Sequence, residues 1–167
     1  AILIPIYNDW QSVFRLLENI NLEISKLESE FSVIIINDAS VENKPKFSSD
    51  LGNLKSIQII NMKENKGHAR CNATGLKYIN EKKDFDYVIP MDGDGEDRPE
   101  ELSLLIEKIK EYPDKVITAN RVKRSEGFVF KLCYFIHKYL TLVFTGQTIK
   151  YGNYTCLPKL VVDEMVN

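Results

Sequence analysis

Cysteine is scarce and poorly spaced for chemistry. There are three, at positions 71, 133 and 156, and no C-x-x-C pair. That spacing excludes a zinc ribbon or a disulfide framework and fits a reducing, cytoplasmic setting. Long apolar runs are also missing. No stretch approaches the roughly 18 residues of a membrane span, and no signal peptide precedes the first strand-like run. Charge of one sign is not in excess either: 22 basic residues face 24 acidic ones, for a net charge of -2. That balance excludes a broad polyanion binder such as a general nucleic-acid-binding domain, while leaving room for a local basic pocket.

What remains is ordinary globular material. The chain has 167 residues, 44% apolar and 28% charged, which reads as one soluble domain, not a repeat array or a tail. It opens without an initiator Met, directly in a strand-like run, and closes inside a helix-like pattern. The expectation is a single domain over residues 1–167, cut at its C-terminus from a longer protein.

Five short Ile/Val-rich runs, at residues 1–5, 31–36, 57–61, 87–90 and 116–119, do not alternate with polar residues. Strands covered on both faces look like this. Between them lie helical periodicities. Val13, Leu16, Leu17, Ile20, Ile24 and Leu27 form one apolar stripe, with Asp9 placed to cap it. Ala69, Ala73, Leu76 and Ile79 trace a second. Leu102, Leu105, Ile106 and Ile109 trace a third, introduced by Pro99, Glu100 and Glu101. Residues 41–53 show no period and read as a loop or a short helix. Alternating strands and helices predict an α/β three-layer sandwich with a mainly parallel sheet.

In such sheets ligands bind beyond the carboxyl ends of the strands. Polar clusters follow each predicted strand here: Tyr7-Asn8-Asp9, Asn37-Asp38-Ala39-Ser40, Asn65 to Arg70, Asp92 to Asp97, and Asn120-Arg121. Asp92, Asp94 and Glu96 are the sharpest of these. They alternate directly after a strand, so an extended continuation would aim all three to one side. Three converging carboxylates require a counter-charge, and Mg²⁺ or Mn²⁺ suits hard oxygen donors. The other reading is a solvated acidic turn that caps the next helix. An EF-hand is excluded, because the loop length and the closing Glu are lacking.

Taken together and in order, these motifs resemble the family 2 glycosyltransferases of GT-A fold, and most closely the dolichyl- and polyprenyl-phosphate sugar transferases. The family's P-x-Y-N-E/D appears as Pro5-Ile6-Tyr7-Asn8-Asp9, and its D-D-G-S as Asn37-Asp38-Ala39-Ser40. Its N-x-G element is Asn65-Lys66-Gly67, continuing through Asn72, and its D-x-D-x-Q-D-P-P-E is Asp92 to Glu100. G-S-R becomes Ala119-Asn120-Arg121, and G-N/D-F/Y becomes Gly152-Asn153-Tyr154. Three positions depart from the pattern: Asn37 replaces Asp, Ala39 replaces Gly, and Thr155 stands where many lipid-phosphate relatives have Arg.

The resemblance implies a metal-dependent, inverting transfer of a sugar from a nucleotide-diphosphate sugar to a polyprenyl phosphate or glycan. It implies nucleotide contacts by Pro5, Tyr7, Asp9, Asp38, Arg70 and Asp92. Asp92, Asp94 and Glu96 would hold Mg²⁺ or Mn²⁺, and Asp92, Asp94 and Arg121 would form the catalytic set. Arg121, Arg124 and Asn153 would meet the diphosphate or the acceptor phosphate. His68 reads as a packing or capping residue and His137 as structural. No general-base motif follows Arg121, which favours an acceptor that is already anionic. Residues 128–144 mix aromatic and aliphatic side chains with Lys131, His137 and Lys138. They suit either an interfacial helix at the cytoplasmic face of a membrane or a helix covering the sheet. Two alternatives compete: a non-catalytic nucleotide-binding remnant, and a nucleotidyltransferase that makes nucleotide sugars. The second would carry a Gly-rich loop after the first strand, where Pro5 to Asp9 stand instead.

Overall fold

The computed structural model describes residues 1–46, 49–119, 139–140, 143–144 and 154–167. Strands β1 (Ile2–Ile6), β2 (Ser32–Asn37), β3 (Ser56–Asn61) and β4 (Tyr87–Pro90) are joined by α1 (Trp10–Ile24) and α2 (His68–Lys82). A single 3₁₀ turn, Pro99–Glu101, leads into α3 (Leu102–Glu111). Then come β5 (Ile117–Thr118), β6 (Thr155–Pro158) and α4 (Lys159–Val166). The described strands form one sheet of order β3-β2-β1-β4-β6-β5.

The first four strands are parallel. Ile2 pairs with Val33 and Ile89, and Ser32 pairs with Ser56. β6 is antiparallel to both β4 and β5. The expected α/β sandwich with a mainly parallel sheet is what the chain forms. β6 had no clear sequence signature, because its four residues TCLP include a proline and a cysteine.

All five residues of β1 are buried, and alternate side chains serve opposite layers. Ile2, Ile4 and Ile6 join Val33 and Ile35 beneath α1 and α3, meeting Val13, Leu17, Ile20, Leu102, Leu105 and Ile109. Leu3 joins Ile34 and Ile36 beneath α2 and α4, meeting Cys71, Leu76, Ile79 and Val162. Each fully buried aliphatic side chain contributes roughly 1.5–3 kcal/mol, so this double-faced packing supplies much of the driving force for folding. The stripe of α1 is close to the expected one. The helix ends at Ile24, and Leu27 follows in a turn, its N–H on the Ile24 carbonyl at 2.9 Å.

α2 corrects the expected stripe. Ala69 and Ala73 are exposed, and the buried face is Cys71, Gly75, Leu76 and Ile79. Gly75 explains the rotation. A Cβ there would lie 2.2 Å from Leu3 Cδ1 and 3.1 Å from Ile36 Cγ1, so the helix rests directly on the sheet. Residues 41–46 and 49–53 form no helix. Among the described residues no helix is long and apolar enough to cross a membrane. Of the 128–144 segment only Tyr139, Leu140, Val143 and Phe144 are described, and all four are exposed.

Overfilling the contact beneath α2 has a direct consequence. Gly75→Val should destabilise the fold by about 2 kcal/mol, and Gly75→Ala by less, since alanine recovers helix propensity. Urea unfolding followed by circular dichroism checks both.

Candidate active site

Parallel pairing brings the carboxyl ends of β1, β2, β3 and β4 to one edge of the sheet, and side-chain amides tie those ends together. Asn61 Oδ1 accepts from Asn37 Nδ2 at 2.9 Å, and Asn37 Oδ1 accepts from Ser40 N at 3.0 Å. Ser40 Oγ accepts from Asn8 N at 2.9 Å. Asn8 Oδ1 accepts from Val41 N at 2.8 Å and Glu42 N at 3.2 Å. The departure at Asn37 now has a reason: an amide supplies the donor that Asn61 Oδ1 takes, which a carboxylate cannot. Asn8 and Ala39 sit at φ 53° and 56°. Such conformations cost side-chain-bearing residues about 1 kcal/mol or more. The amide chain holds both, and Tyr7 and Asp9 flank the first of them.

Asp38 is placed differently from the sequence expectation. It is 3% exposed. Its Oδ1 accepts from Lys66 N and its Oδ2 from Gly67 N, both at 2.8 Å. Burial alone would raise its pKa. The two amides, with the Cys71 thiol, outweigh burial and hold the carboxyl below its ordinary 3.8. The Cys71 thiol is pushed up to about 12, by burial and then by Asp38 beside it. Asp38 thus anchors the loop before α2, and it is not among the residues that line the crevice.

The acidic segment does not continue the strand. Asp97, 5% exposed, accepts from Asp92 N through Oδ2 at 2.9 Å, and Asp94 Oδ1 accepts from Glu96 N at 2.9 Å. Gly95 takes φ 84°. The chain therefore turns within these residues, and the alternation expected of an extended run does not apply. Asp92 and Asp94 reach the crevice; Glu96 is exposed and does not line it. Among the described residues no three carboxylate, imidazole or thiol groups converge as a ready-made metal cage.

The crevice is a cavity of about 350 Å³ lined by Pro5, Ile6, Tyr7, Asp9, His68, Asp92, Gly93 and Asp94. Asp9 makes no capping bond to α1 and faces this space instead. A Cβ on Gly93 would lie 3.2 Å from Ile6 Cγ2 and 3.3 Å from the Pro5 carbonyl oxygen, so the acidic turn lies close against β1. Arg70, in the first turn of α2, is exposed and does not line the cavity. His68, read from the sequence as a packing or capping residue, lines the crevice instead. Its Nε2 lies 3.5 Å from Asp92 Oδ1, and Asn72 Nδ2 is 2.8 Å from the same ring nitrogen. No spacing rule links positions 68 and 92; the Asp38 anchor brings them together. Arg121, Arg124 and Asn153 lie outside the described residues. Tyr154, which follows them, is buried, and its hydroxyl donates to the Arg98 carbonyl at 3.3 Å.

A model of the family described as Glycosyl transferase family 2 matches residues 1–154. This chain belongs to that family. Among curated relatives, the undecaprenyl-phosphate 4-deoxy-4-formamido-L-arabinose transferase of Proteus mirabilis (strain HI4320) is 27% identical over 157 residues, which are 94% of this chain and 47% of the relative. The transferase of the same description from Klebsiella pneumoniae (strain 342) is 22% identical over 173 residues, covering 100% of this chain and 51% of the relative. The chain thus spans about half the length of these relatives. Solved structures share the fold. The Pyrobaculum calidifontis mannosyltransferase PcManGT, in complex with GDP-Man and Mn²⁺, superposes with TM-score 0.63 at 16% identity, over 98% of this chain and 45% of that one. Staphylococcus aureus TarS 1–349 in complex with UDP-GlcNAc gives 0.50 at 18% identity, over 75% of this chain and 36% of that one. The family 2 fold here is GT-A, and family membership favours glycosyl transfer over the nucleotidyltransferase alternative.

The Asp38 anchor makes stability depend on pH. Its folded-state pKa is depressed, so its contribution is fully present above the ordinary 3.8 and is lost as pH falls through the lower folded value. Asp38→Asn should cost about 1–3 kcal/mol at neutral pH. It should also flatten the acid limb of stability within that window, as measured by urea midpoints from pH 2 to 7.

Proposed function

We propose that this family 2 domain transfers a sugar from a nucleotide-diphosphate sugar to a polyprenyl phosphate, with inversion at the anomeric carbon and with help from Mg²⁺ or Mn²⁺. The observation that carries this reading is the convergence of Tyr7 and Asp9 with Asp92 and Asp94 in one polar crevice. Tyr7, 49% exposed at the mouth, offers a ring to a nucleobase, and Asp9 offers a carboxylate to its N–H groups. Asp92 is suited to ribose hydroxyls or an ion, and Asp94 to an ion. A glycan acceptor is the second option carried over from the family resemblance.

The donor set fits a small hard cation in one particular mode. Mg²⁺ is commonly held by one or two carboxylates, with substrate phosphates and water completing the shell, and Asp92 and Asp94 supply such a pair without needing Glu96. When bound, the ion supplies neutralisation of the charge that develops on the leaving diphosphate. The chain's own residues fix the donor and exclude the wrong register. The acceptor oxygen forms its bond to the anomeric carbon from the face opposite the diphosphate. The broken carbon–oxygen bond leaves its electron pair on the nucleoside diphosphate. An anionic phosphate acceptor needs no proton removed. The curated relatives are named for undecaprenyl phosphate, which supports a lipid phosphate here. Arg121, Arg124 and Asn153 remain the proposed phosphate contacts, and Arg70 a proposed nucleotide contact.

Calorimetry with UDP and GDP, in Mn²⁺ and then in chelator, tests the donor half. Wild type should bind one of them, more tightly with metal, and Asp94→Ala should lose most of that metal enhancement. Failure of both nucleotides with Mn²⁺ would overturn the reading. A lipid acceptor also demands a membrane surface. Tyr139 and Phe144, 60% and 81% exposed, support placing residues 128–144 against it. Sedimentation with anionic vesicles should carry the chain down, and Phe144→Asp should reduce the bound fraction.

A further inference from the structure

Asp94 borders a second cavity. Between α1 and the acidic turn lies a space of about 300 Å³, lined by Ser12, Arg15 and Asn19 of α1 and by Asp94, Arg98 and Glu100. Positions 12, 15 and 19 follow the helical repeat, so one face of α1 brings three polar side chains to this space. Two guanidinium groups therefore line one cavity. Among the described residues Arg15, which is exposed, forms no ion pair. Arg98 Nε stands 3.8 Å from Glu100 Oε2, with both side chains more than half exposed. Such an exposed pair contributes little, and a dianion can displace it. The main chain of Arg98 is held, because the Tyr154 hydroxyl donates to its carbonyl.

We propose that this cavity binds a phosphate monoester, the head group of the acceptor, beside the donor crevice. A guanidinium presents paired N–H donors that match phosphate oxygens, and Ser12 and Asn19 add neutral donors. The charge balance depends on the ion. Without it, Asp94 and Glu100 cancel Arg15 and Arg98. With Mg²⁺ or Mn²⁺ on Asp94, the cavity becomes net positive and suits a dianion. The inference rests on the donor-site reading above and deepens it. Asp94 is the wall that the two cavities share. Inversion requires the acceptor and the leaving diphosphate on opposite sides of the anomeric carbon. Two cavities that meet at one ion-binding carboxylate provide those two sides. Arg98 is also particular to this chain, since it stands at the first proline of the D-P-P-E pattern.

The probes are inorganic phosphate and geranyl phosphate, each titrated in Mg²⁺ and followed by ³¹P nuclear magnetic resonance. Geranyl phosphate should bind the more tightly, as a lipid head group requires. Arg15→Ala and Arg98→Ala should each weaken its binding about tenfold, and Arg98→Lys should recover part of that loss. Affinity for UDP or GDP should stay within about twofold of wild type, because neither guanidinium lines the donor crevice. Geranyl phosphate should also bind when nucleotide is present, because the two cavities are separate. No binding of geranyl phosphate, unchanged affinity in the doubly substituted variant, or displacement by nucleotide would each overturn the proposal. Tighter binding of inorganic phosphate would overturn the acceptor assignment. Arg15→Lys and Arg98→Lys carry the same comparison if an alanine variant does not fold. Loss of arginine dependence alone sinks this inference, whereas failure of nucleotide binding alone sinks the donor-site reading.

Discussion

Everything in this domain depends on the in-register parallel pairing of β1 with β2 and β4. Parallel strands joined by crossover helices must all finish at the same edge, and each crossover must return along a face of the sheet. β1 is therefore buried on both faces, and its composition is aliphatic almost throughout. The same pairing dictates where polar residues go. They cannot stay in the strands, so they collect where the strands end. The crevice is the other side of the core: the geometry that excludes water from Leu3 and Ile4 also gathers Tyr7, Asp9, Asp92 and Asp94 around one opening.

That opening is shaped by backbone held in place by side chains, more than by side chains packed against one another. The amide chain through Asn61, Asn37, Ser40 and Asn8 fixes three strand ends. Asp38 and Asp97, both nearly inaccessible, hold backbone amides on either side of the cavity. Buried carboxylates are tolerated because each accepts from main-chain donors. Such bonds are also stiff, since a backbone donor cannot swing away as a lysine side chain can. Lys66 illustrates the contrast: its backbone N–H is clamped, while its ammonium pairs with Glu64 out in solvent.

The sequence made the sheet and the crevice legible for simple reasons. Apolar runs without alternation read as strands covered on both sides; that holds for β1, β2 and the centre of β4, while the edge strands β3 and β5 have no buried residue. The misreadings also have physical causes. The stripe of α2 was drawn through Ala69 and Ala73 because alanine counts as apolar, whereas the sheet actually receives Cys71 and Gly75. β6 is too short and too mixed to stand out. The alternation of Asp92, Asp94 and Glu96 presumed an extended chain, and Gly95 together with the Asp94 and Asp97 hydrogen bonds bends it. Asp38 was recognised as important, but an isolated carboxylate in a sequence does not show whether it faces a ligand or a loop. His68 reads from the sequence as a packing or capping residue because its nearness to Asp92 spans positions 68 and 92, which only the fold brings together.

The antiparallel strand β6 carries an implication for how this scaffold diversifies. β5 ends at the crevice edge and β6 starts there, and the Ala119 N–H donates to the Tyr154 carbonyl at 2.9 Å. Whatever lies between those two residues leaves and rejoins the sheet through a single pinch point. It can be lengthened, shortened or rewritten without altering a register elsewhere in the sheet, while the strand ends that carry Tyr7 and Asp92 stay untouched. Length gained or lost at that one point would leave the floor of the crevice as it is.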